Sequence, residues 1–232
     1  MGMRMKVNWS EGAAIELAQR GYVELPGLLG REECEWAAGL YEERELFRSR
    51  IDMAQYRFGR GEYQYFRDPL PGLVRDLRDA LYRRLVPVAN DWAEMLGSRV
   101  FPLDMDGLIE ECREHGQTRP TPLLLRYRAG DYNCLHQDLY GEVAFPFQVV
   151  CFLSEPGRDY KGGEFLLVEQ APRAQAMGRA LRLRQGDGLV ITTRHRPVQG
   201  KRGYYKVNVR HGVSPVTEGE RWTLGIIFHN AK

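Results

Sequence analysis

The sequence of 232 residues predicts an α+β chain: a helical N-terminal half, then a mainly β half whose strands form a sandwich or a jelly-roll barrel. Three observations predict this. Apolar residues recur at threes and fours through much of the first hundred residues. After GQTRPTP (116–122) short β-rich runs take over, separated by turn chemistry. No helical pattern lies between those runs, which argues against a parallel sheet with crossover helices. A single core can reach this size before it splits, so one domain over 1–232 is expected. Within it, 1–118 supplies helical support and a lid, and 119–232 the strand-rich core.

The elements follow in chain order. Ser10 is placed to cap a first helix carrying Ala14, Ile15 and Ala18, which ends at Gly21, where a left-handed residue is easily accommodated. A strand-like YVEL follows, then REECEWAAGLYEERELF as a second helix. The strongest periodicity lies in PGLVRDLRDALYRRLVPVANDWAEMLG, where Leu73, Val74, Leu77, Leu81, Leu85, Val88, Trp92 and Met95 share one stripe. Pro87 is expected to kink or split that helix. The β half then reads PLLLRY, NCLHQD, FQVVCFL, GGEFLLVEQ, GDGLVITT, GYYKVNVRHGV and RWTLGIIFH, punctuated by SEPGRDYKGG and RQGDG.

Composition narrows the class. Hydrophobic residues at 43% and charged residues at 28% suit a folded globular chain and exclude a disordered one. The net charge of +2 is too small to imply nucleic acid by itself, so local charge decides. Cys34, Cys112, Cys134 and Cys151 form no C-x-x-C pair, which argues against a zinc ribbon, a redox motif or a disulfide scaffold and fits a reducing compartment. The N-terminal MGMRMKVNWSEG lacks an apolar leader, and no uncharged apolar run approaches the roughly 20 residues that cross a bilayer. A soluble, cytoplasmic protein with no membrane partner is expected; its oligomeric state is not legible.

The chemistry concentrates in NCLHQDLYGE (133–142). Residues i and i+2 of a strand share a face, so His136 and Asp138 project together. A third ligand would have to come from His195, His211 or His229, and His211 stands where the chain leaves a strand. Two histidines and a carboxylate on one face of an octahedron leave three positions open, as in non-haem Fe(II) oxygenases. H-x-D also arises by chance, in which case His136 is a hydrogen-bonded core histidine and Asp138 a turn residue. Arg221, ten positions after His211, opens RWTLGIIFH, a strand without an acidic residue. An arginine entering a β core needs an anion, which a bound dicarboxylate would supply; Thr223 shares its face and can add a hydrogen bond.

The succession RYRAGDYNCLHQD, GGEF, GDGLV, RHGVSPV and RWT resembles the Fe(II)- and 2-oxoglutarate-dependent dioxygenases over residues 122–232. With FGRGEY, GQTRPTPLLLRY, LSEPGRDYKGGEF, HRPVQGKRG and LGIIFHNA, it is similar to a bacterial group of uncharacterised oxygenases predicted to act in oxidative repair of alkylated nucleic acid. This wider likeness reaches back to about residue 20. The resemblance implies a double-stranded β-helix and Fe(II) held by His136, Asp138 and His211. It implies that Arg221 and Thr223 bind the distal carboxylate of 2-oxoglutarate and that Tyr127 contacts the same cosubstrate. The implied reaction consumes O2 and 2-oxoglutarate and hydroxylates a C–H bond; at an N-methyl group it ends in loss of formaldehyde. Dioxygenases of the AlkB type share the Tyr-to-His spacing and the HGVSPV-like run. They carry an asparagine where this chain has Leu125 and a second arginine where it has Ile227.

Two segments bear on the substrate. RHRPVQGKRGYYKVNVR carries Arg194, Arg196, Lys201, Arg202, Lys206 and Arg210 with no acidic residue and leads into His211. It reads as a basic rim for phosphates or carboxylates, or as a solvated loop and strand. FRSRIDMAQYRFGRGEYQYF interleaves arginines with aromatics and reads as a lid, with Arg60 and Tyr63 as substrate contacts and Tyr140 at the same entrance. Cys134 shares strand parity with His136, but soft sulfur suits other metals and a small thiol packs well. His229 is expected to make a structural hydrogen bond; His115 and His195 receive no role. A hydroxylase of a small molecule, amino acid or peptide, a non-catalytic jelly-roll binding module and a zinc hydrolase are the competing readings, the last two leaving the intact ligand set or Arg221 without purpose.

Overall fold

The computed structural model describes residues 7–232; the first six residues of the N-terminal run read above lie outside the described residues. Four α-helices are present among them: α1 (Ala13–Arg20), α2 (Arg31–Gly39), α3 (Gly72–Leu96) and α4 (Met105–Glu114). The strands of the first half are β1 (Tyr22–Leu25), β2 (Phe47–Asp52), β3 (Gly59–Arg60) and β4 (Glu62–Phe66). Those of the second half are β5 (Leu123–Arg128), β6 (Tyr132–His136), β7 (Phe147–Phe152), β8 (Tyr160–Gly162), β9 (Phe165–Gln170), β10 (Met177–Leu181), β11 (Gly188–Thr192), β12 (His195–Gly200), β13 (Gly203–Val213) and β14 (Val216–Ile227).

These strands build the two facing sheets of a jelly roll. The larger, eight-stranded, runs β1-β11-β7-β14-β5-β4-β2 with β8 added to β14. The smaller, six-stranded, runs β10-β9-β13-β6-β3 with β12 added to β13. Their ladders are antiparallel. All seven strands expected after residue 119 are present. The segment expected to be a lid is instead built into the sheets: β2 and β4 extend the larger one beyond β5, and β3 joins the edge of β6. β2 closes the edge of the larger sheet with the alternation of a strand that has one face to solvent, whereas β4, held between β2 and β5, is buried at Gln64, Tyr65 and Phe66.

Three local readings change. Helix α1 begins after Gly12 with no side-chain cap, and it buries Ala13 and Leu17 while Ile15 faces water; its end at left-handed Gly21 is as expected. Helix α2 stops at Gly39, and two 3-10 turns replace its expected second half. Helix α3 runs unbroken through Pro87. Pro87 is exposed, so the carbonyl it leaves unpaired can be hydrated, while Leu77, Leu81, Leu85, Val88 and Trp92 stay buried on the other side. Burying each such side chain contributes about 1.5–3 kcal/mol, and together these outweigh the ~3 kcal/mol cost of an internal proline.

Helix α3 packs on the outer face of the larger sheet, with Trp92 edge-on to Phe147 at 4.6 Å and Tyr82 against Phe145 at 4.9 Å. That layer leaves the inner face free to line a cavity. Buried Arg78 fastens α3 to the end of β14: its Nε donates to Ile227 O at 3.1 Å, and Nη2 donates to Phe228 O and to Asn230 Oδ1 at 2.9 Å. Burial pushes its pKa down to about 10, which still leaves it charged at neutral pH. No helix among the described residues is long and apolar enough to cross a membrane.

Arg78→Met should strip three buried acceptors of their donor at about 1–3 kcal/mol each. The expected result is a lower denaturant midpoint with an unchanged slope, partly recovered in Arg78→Lys, read by urea unfolding.

Candidate active site

The inner faces of the two sheets enclose a cavity of about 290 Å³. Strand alternation sends Arg221, Thr223, Gly225 and Ile227 of β14 into it, as expected for Arg221 and Thr223. Opposite them, β6 and β13 pair so that His136 stands across from His211. The two rings lie 4.3 Å apart between centroids. Gly212 permits this closeness, because a Cβ there would fall 2.6 Å from Asn133 O. Asp138 lies two residues past the end of β6, in the following loop, and still converges: its Oδ1 is 3.6 Å from His136 Nε2 and its Oδ2 is 3.2 Å from His211 Nε2. One ligand atom from each of the three residues lies within 4.8 Å of the others, so a single ion could touch all three.

The protonation states suit a cation. His136 Nδ1 faces Cys134 O at 2.8 Å; a carbonyl only accepts, so Nδ1 donates there and Nε2 is the nitrogen turned toward Asp138. Burial alone would raise the Asp138 carboxyl, but hydrogen bonding to His211, the positive charge that either imidazole carries when protonated and the Tyr140 hydroxyl hold it far below the usual carboxylate range. Burial and the neighbouring His136 lower the pKa of His211, which favours the neutral imidazole that a metal needs. Phe165 stacks on the His211 ring at 5.7 Å and an interplanar angle of 10°, fixing its plane.

Arg221 is 1% exposed, and its Nε and one terminal nitrogen are buried without a hydrogen-bond partner. Aromatic rings surround the guanidinium, with centroids 5.5 Å away for Tyr127, 5.3 Å for Phe152 and 6.0 Å for Tyr160. No carboxylate pairs with it among the described residues. A buried cation in this state is costly unless an anion arrives, and a carboxylate of a small ligand fits the fork. Tyr127 pairs with Arg221 across β5 and β14 and lines the same wall; burial pushes its phenol up to about 12, so it remains a hydroxyl.

Tyr63 and Tyr140 reach the cavity, whereas Arg60 is exposed on β3 and lies outside the lining. Tyr140 has a second task. Its hydroxyl donates to Asp138 Oδ1 at 2.7 Å and is 3.0 Å from the hydroxyl of Tyr65. Burial and the charge of Asp138 raise its pKa and keep it a donor. His229 accepts from Phe145 N at 3.1 Å through Nδ1, the structural bond expected of it.

Two wall residues were missed. Gln148 of β7 brings its amide nitrogen 3.2 Å from His211 Nε2. Asn133 donates to the Tyr127 hydroxyl at 3.3 Å, although Leu125 stands where AlkB-type enzymes carry asparagine. A lone polar side chain inside FQVVCFL was the available signal for Gln148, since a buried amide needs a partner; Asn133 had none until the strands were paired.

The basic run divides. Arg196 is spent internally, in a two-pronged pair with buried Glu169 at 2.7 and 3.1 Å. Lys201 and Arg202 sit at the β12–β13 turn, eight residues up the strand from Gly203 to His211, which is ~27 Å at about 3.4 Å per residue. They are remote from the triad. Arg194 is exposed close by, since Gln137, which lines the cavity, donates to Arg194 O at 3.2 Å; Arg210, next to inward-facing His211 on β13, is exposed on the outer face of the sheet.

Comparison with known proteins agrees with this geometry. The family model Oxygenase-NA, described as oxygenases catalysing oxidative methylation of damaged DNA, matches residues 61–231. Uncharacterized proteins of Mycobacterium tuberculosis strains H37Rv and CDC 1551 are each 51% identical over 164 residues, 70% of this chain and 70% of theirs. Among solved structures, a Pseudomonas putida prolyl-4-hydroxylase superposes with TM-score 0.57 at 16% identity, covering 95% of this chain and 98% of its own. A Burkholderia pseudomallei oxidoreductase of the 2OG-Fe(II) oxygenase family gives 0.54 at 17% identity, covering 99% and 95%. These two show a shared fold. With the family match spanning most of the chain, the protein belongs to the Oxygenase-NA family and is an Fe(II)- and 2-oxoglutarate-dependent oxygenase.

Proposed function

We propose that this oxygenase removes alkyl groups from nucleobases by oxidising the carbon attached to the base, with Fe(II) held by His136, Asp138 and His211. The observation that carries the assignment of residues is the unpaired guanidinium of Arg221, buried in the same cavity as the triad. In this reading Arg221 and Thr223 grip the distal carboxylate of 2-oxoglutarate, and Tyr127 packs along the cosubstrate. Fe(II) with 2-oxoglutarate supplies the oxidation of C–H by O2, releasing succinate and CO2. Hydroxylation of an N-methyl carbon gives an N–CH2OH group, which collapses to formaldehyde and the free base nitrogen.

The chain's part is placement. The apolar walls, including Leu125, Phe165 and Ile227, exclude water from around the triad and leave one side open for the target carbon. Tyr63 flanks that side. Tyr140, braced by Tyr65, fixes the rotation of the Asp138 carboxylate: Oδ1 accepts its hydrogen bond and Oδ2 faces His211, an orientation in which Asp138 would help to hold the metal. Nucleic acid as substrate is supported by the family's description, by exposed Arg194, whose carbonyl accepts from cavity-lining Gln137, and by exposed Arg57 and Arg60 beside cavity-lining Phe58.

His136→Ala and Asp138→Ala should abolish metal binding, followed by calorimetry with Mn(II), and with it the conversion of 2-oxoglutarate to succinate. Arg221→Ala should raise the 2-oxoglutarate requirement while leaving Mn(II) affinity within a few-fold. Tyr140→Phe keeps the ring and should weaken metal affinity by about 10–100-fold; unchanged affinity would remove its orienting role. Binding of an alkylated oligonucleotide should fall steeply with salt, with log Kd linear in log salt concentration. A flat salt response alongside turnover of a free amino acid or peptide would replace nucleic acid by a small substrate.

A further inference from the structure

We infer that Tyr56 and Phe58 form a stacking platform at the cavity mouth for an unpaired nucleobase, an inference that rests on the nucleic-acid reading above. The two rings are nearly parallel, 5.6 Å between centroids at 18°, and they are 54% and 48% exposed. Phe58 also lines the cavity. Two flat rings stacked on each other and left about half exposed to water keep outer surface that can receive a further ring.

The strap that carries them is fixed to the strand bearing His136. Arg57, between Tyr56 and Phe58 in the chain, takes a left-handed φ of 60°. Gly59 has φ 138°, and a Cβ there would lie 2.3 Å from Tyr132 O, so only glycine lets the strap close on β6. The closure is a short ladder: Gly59 pairs with Asn133, Arg60 pairs with Tyr132, and Cys134 N donates to Phe58 O at 2.8 Å. Phe58 is thereby bonded to the chain two residues before His136, and the platform is registered to the candidate metal ligands.

Size and charge identify the occupant. A cavity of about 290 Å³ is at the small end of ligand sites. It must hold 2-oxoglutarate and the carbon to be oxidised, so most of a nucleotide stays on the rim. Arg57 and Arg60 are exposed there and form no ion pair among the described residues. Cations alternating with flat rings match the backbone and bases of a single strand. In a duplex both faces of a base are covered by its neighbours, so the platform takes a single-stranded or everted nucleotide.

The test is fluorescence anisotropy of the full chain with Mn(II) and 2-oxoglutarate, titrated into a short labelled oligonucleotide carrying one N-methylated adenine, as single strand and as duplex, at fixed salt. Wild type should prefer the single strand. Tyr56→Leu and Phe58→Leu keep apolar bulk without a flat face and should each weaken single-strand binding by about 5–150-fold, with Phe58→Trp retaining it and all variants melting as wild type does. If Phe58→Leu fails to fold, Tyr56→Leu carries the comparison, since Tyr56 is outside the cavity lining. Leucine variants that bind as wild type, or a wild type that prefers duplex, overturn the platform and leave the nucleic-acid reading standing. A wild type that binds neither form, or that binds a peptide at this surface instead, overturns both.

Discussion

A guanidinium almost wholly removed from water, with nitrogens that meet no acceptor, is the constraint to which the rest of this structure answers. Folding around such a group is costly, and a protein relieves the cost by receiving an anion or by pairing the charge internally. Arg78 shows the internal solution: three oxygen acceptors close around it, and it serves as a fastening between helix and sheet. Arg221 has three aromatic rings around it and room in front. The same residue type is structural in one place and a receptor in the other, and the difference lies in the acceptors supplied.

The second constraint is register. Two histidines far apart in the chain meet because β6 and β13 pair with His136 opposite His211, and a slip of one residue would send one ring to the outer face. The pairing is irregular just past His211 and needs a glycine at 212, so the register is pinned at the place where it matters. Asp138 adds a third ligand from a loop, which strand geometry cannot hold. Its orientation comes instead from the Tyr140 hydroxyl, and that of Tyr140 from Tyr65 on β4. Part of the N-terminal half is thus tied through one hydrogen-bond chain to the candidate metal site.

This division explains what could be read in advance. Strand alternation is a short-range rule, so the seven strands of the second half, the shared face of Arg221 and Thr223, and the pairing of His136 with Asp138 were legible in the residues. The i, i+2 argument reached Asp138 for an incomplete reason, since the strand ends at His136. Naming His211 needed the likeness to known oxygenases, because spacing alone left three histidines open. Features set by long-range packing were misread or missed. Pro87 stays in its helix because its exposed side faces water, which the pattern hints at but cannot weigh. Arg196 looked like part of a basic rim and is neutralised by Glu169, remote in sequence. Gln148 and Asn133 acquire partners only when strands from different parts of the chain come together.

The deep parts of the site are therefore more legible than its rim, and there is a physical reason. Holding a metal and a dicarboxylate requires particular atoms, nitrogen, oxygen and a forked cation, and few residue types supply them. Receiving a large substrate requires area, flatness and charge, which many residues supply and which depend on where loops and edge strands finish. The strap 56–61 stands between the two regimes. Gly59 is dictated by backbone contact with β6 and Gly61 by close approach to β5, so the strap is as fixed as a ligand strand, while the rings beside these glycines are half exposed. An exposed aromatic pair on a mobile loop would say little about substrate. Anchored to the strand that carries a candidate metal ligand, it shares the site's coordinate frame, and the distance from platform to candidate metal site selects which carbon of a stacked substrate can be presented for oxidation.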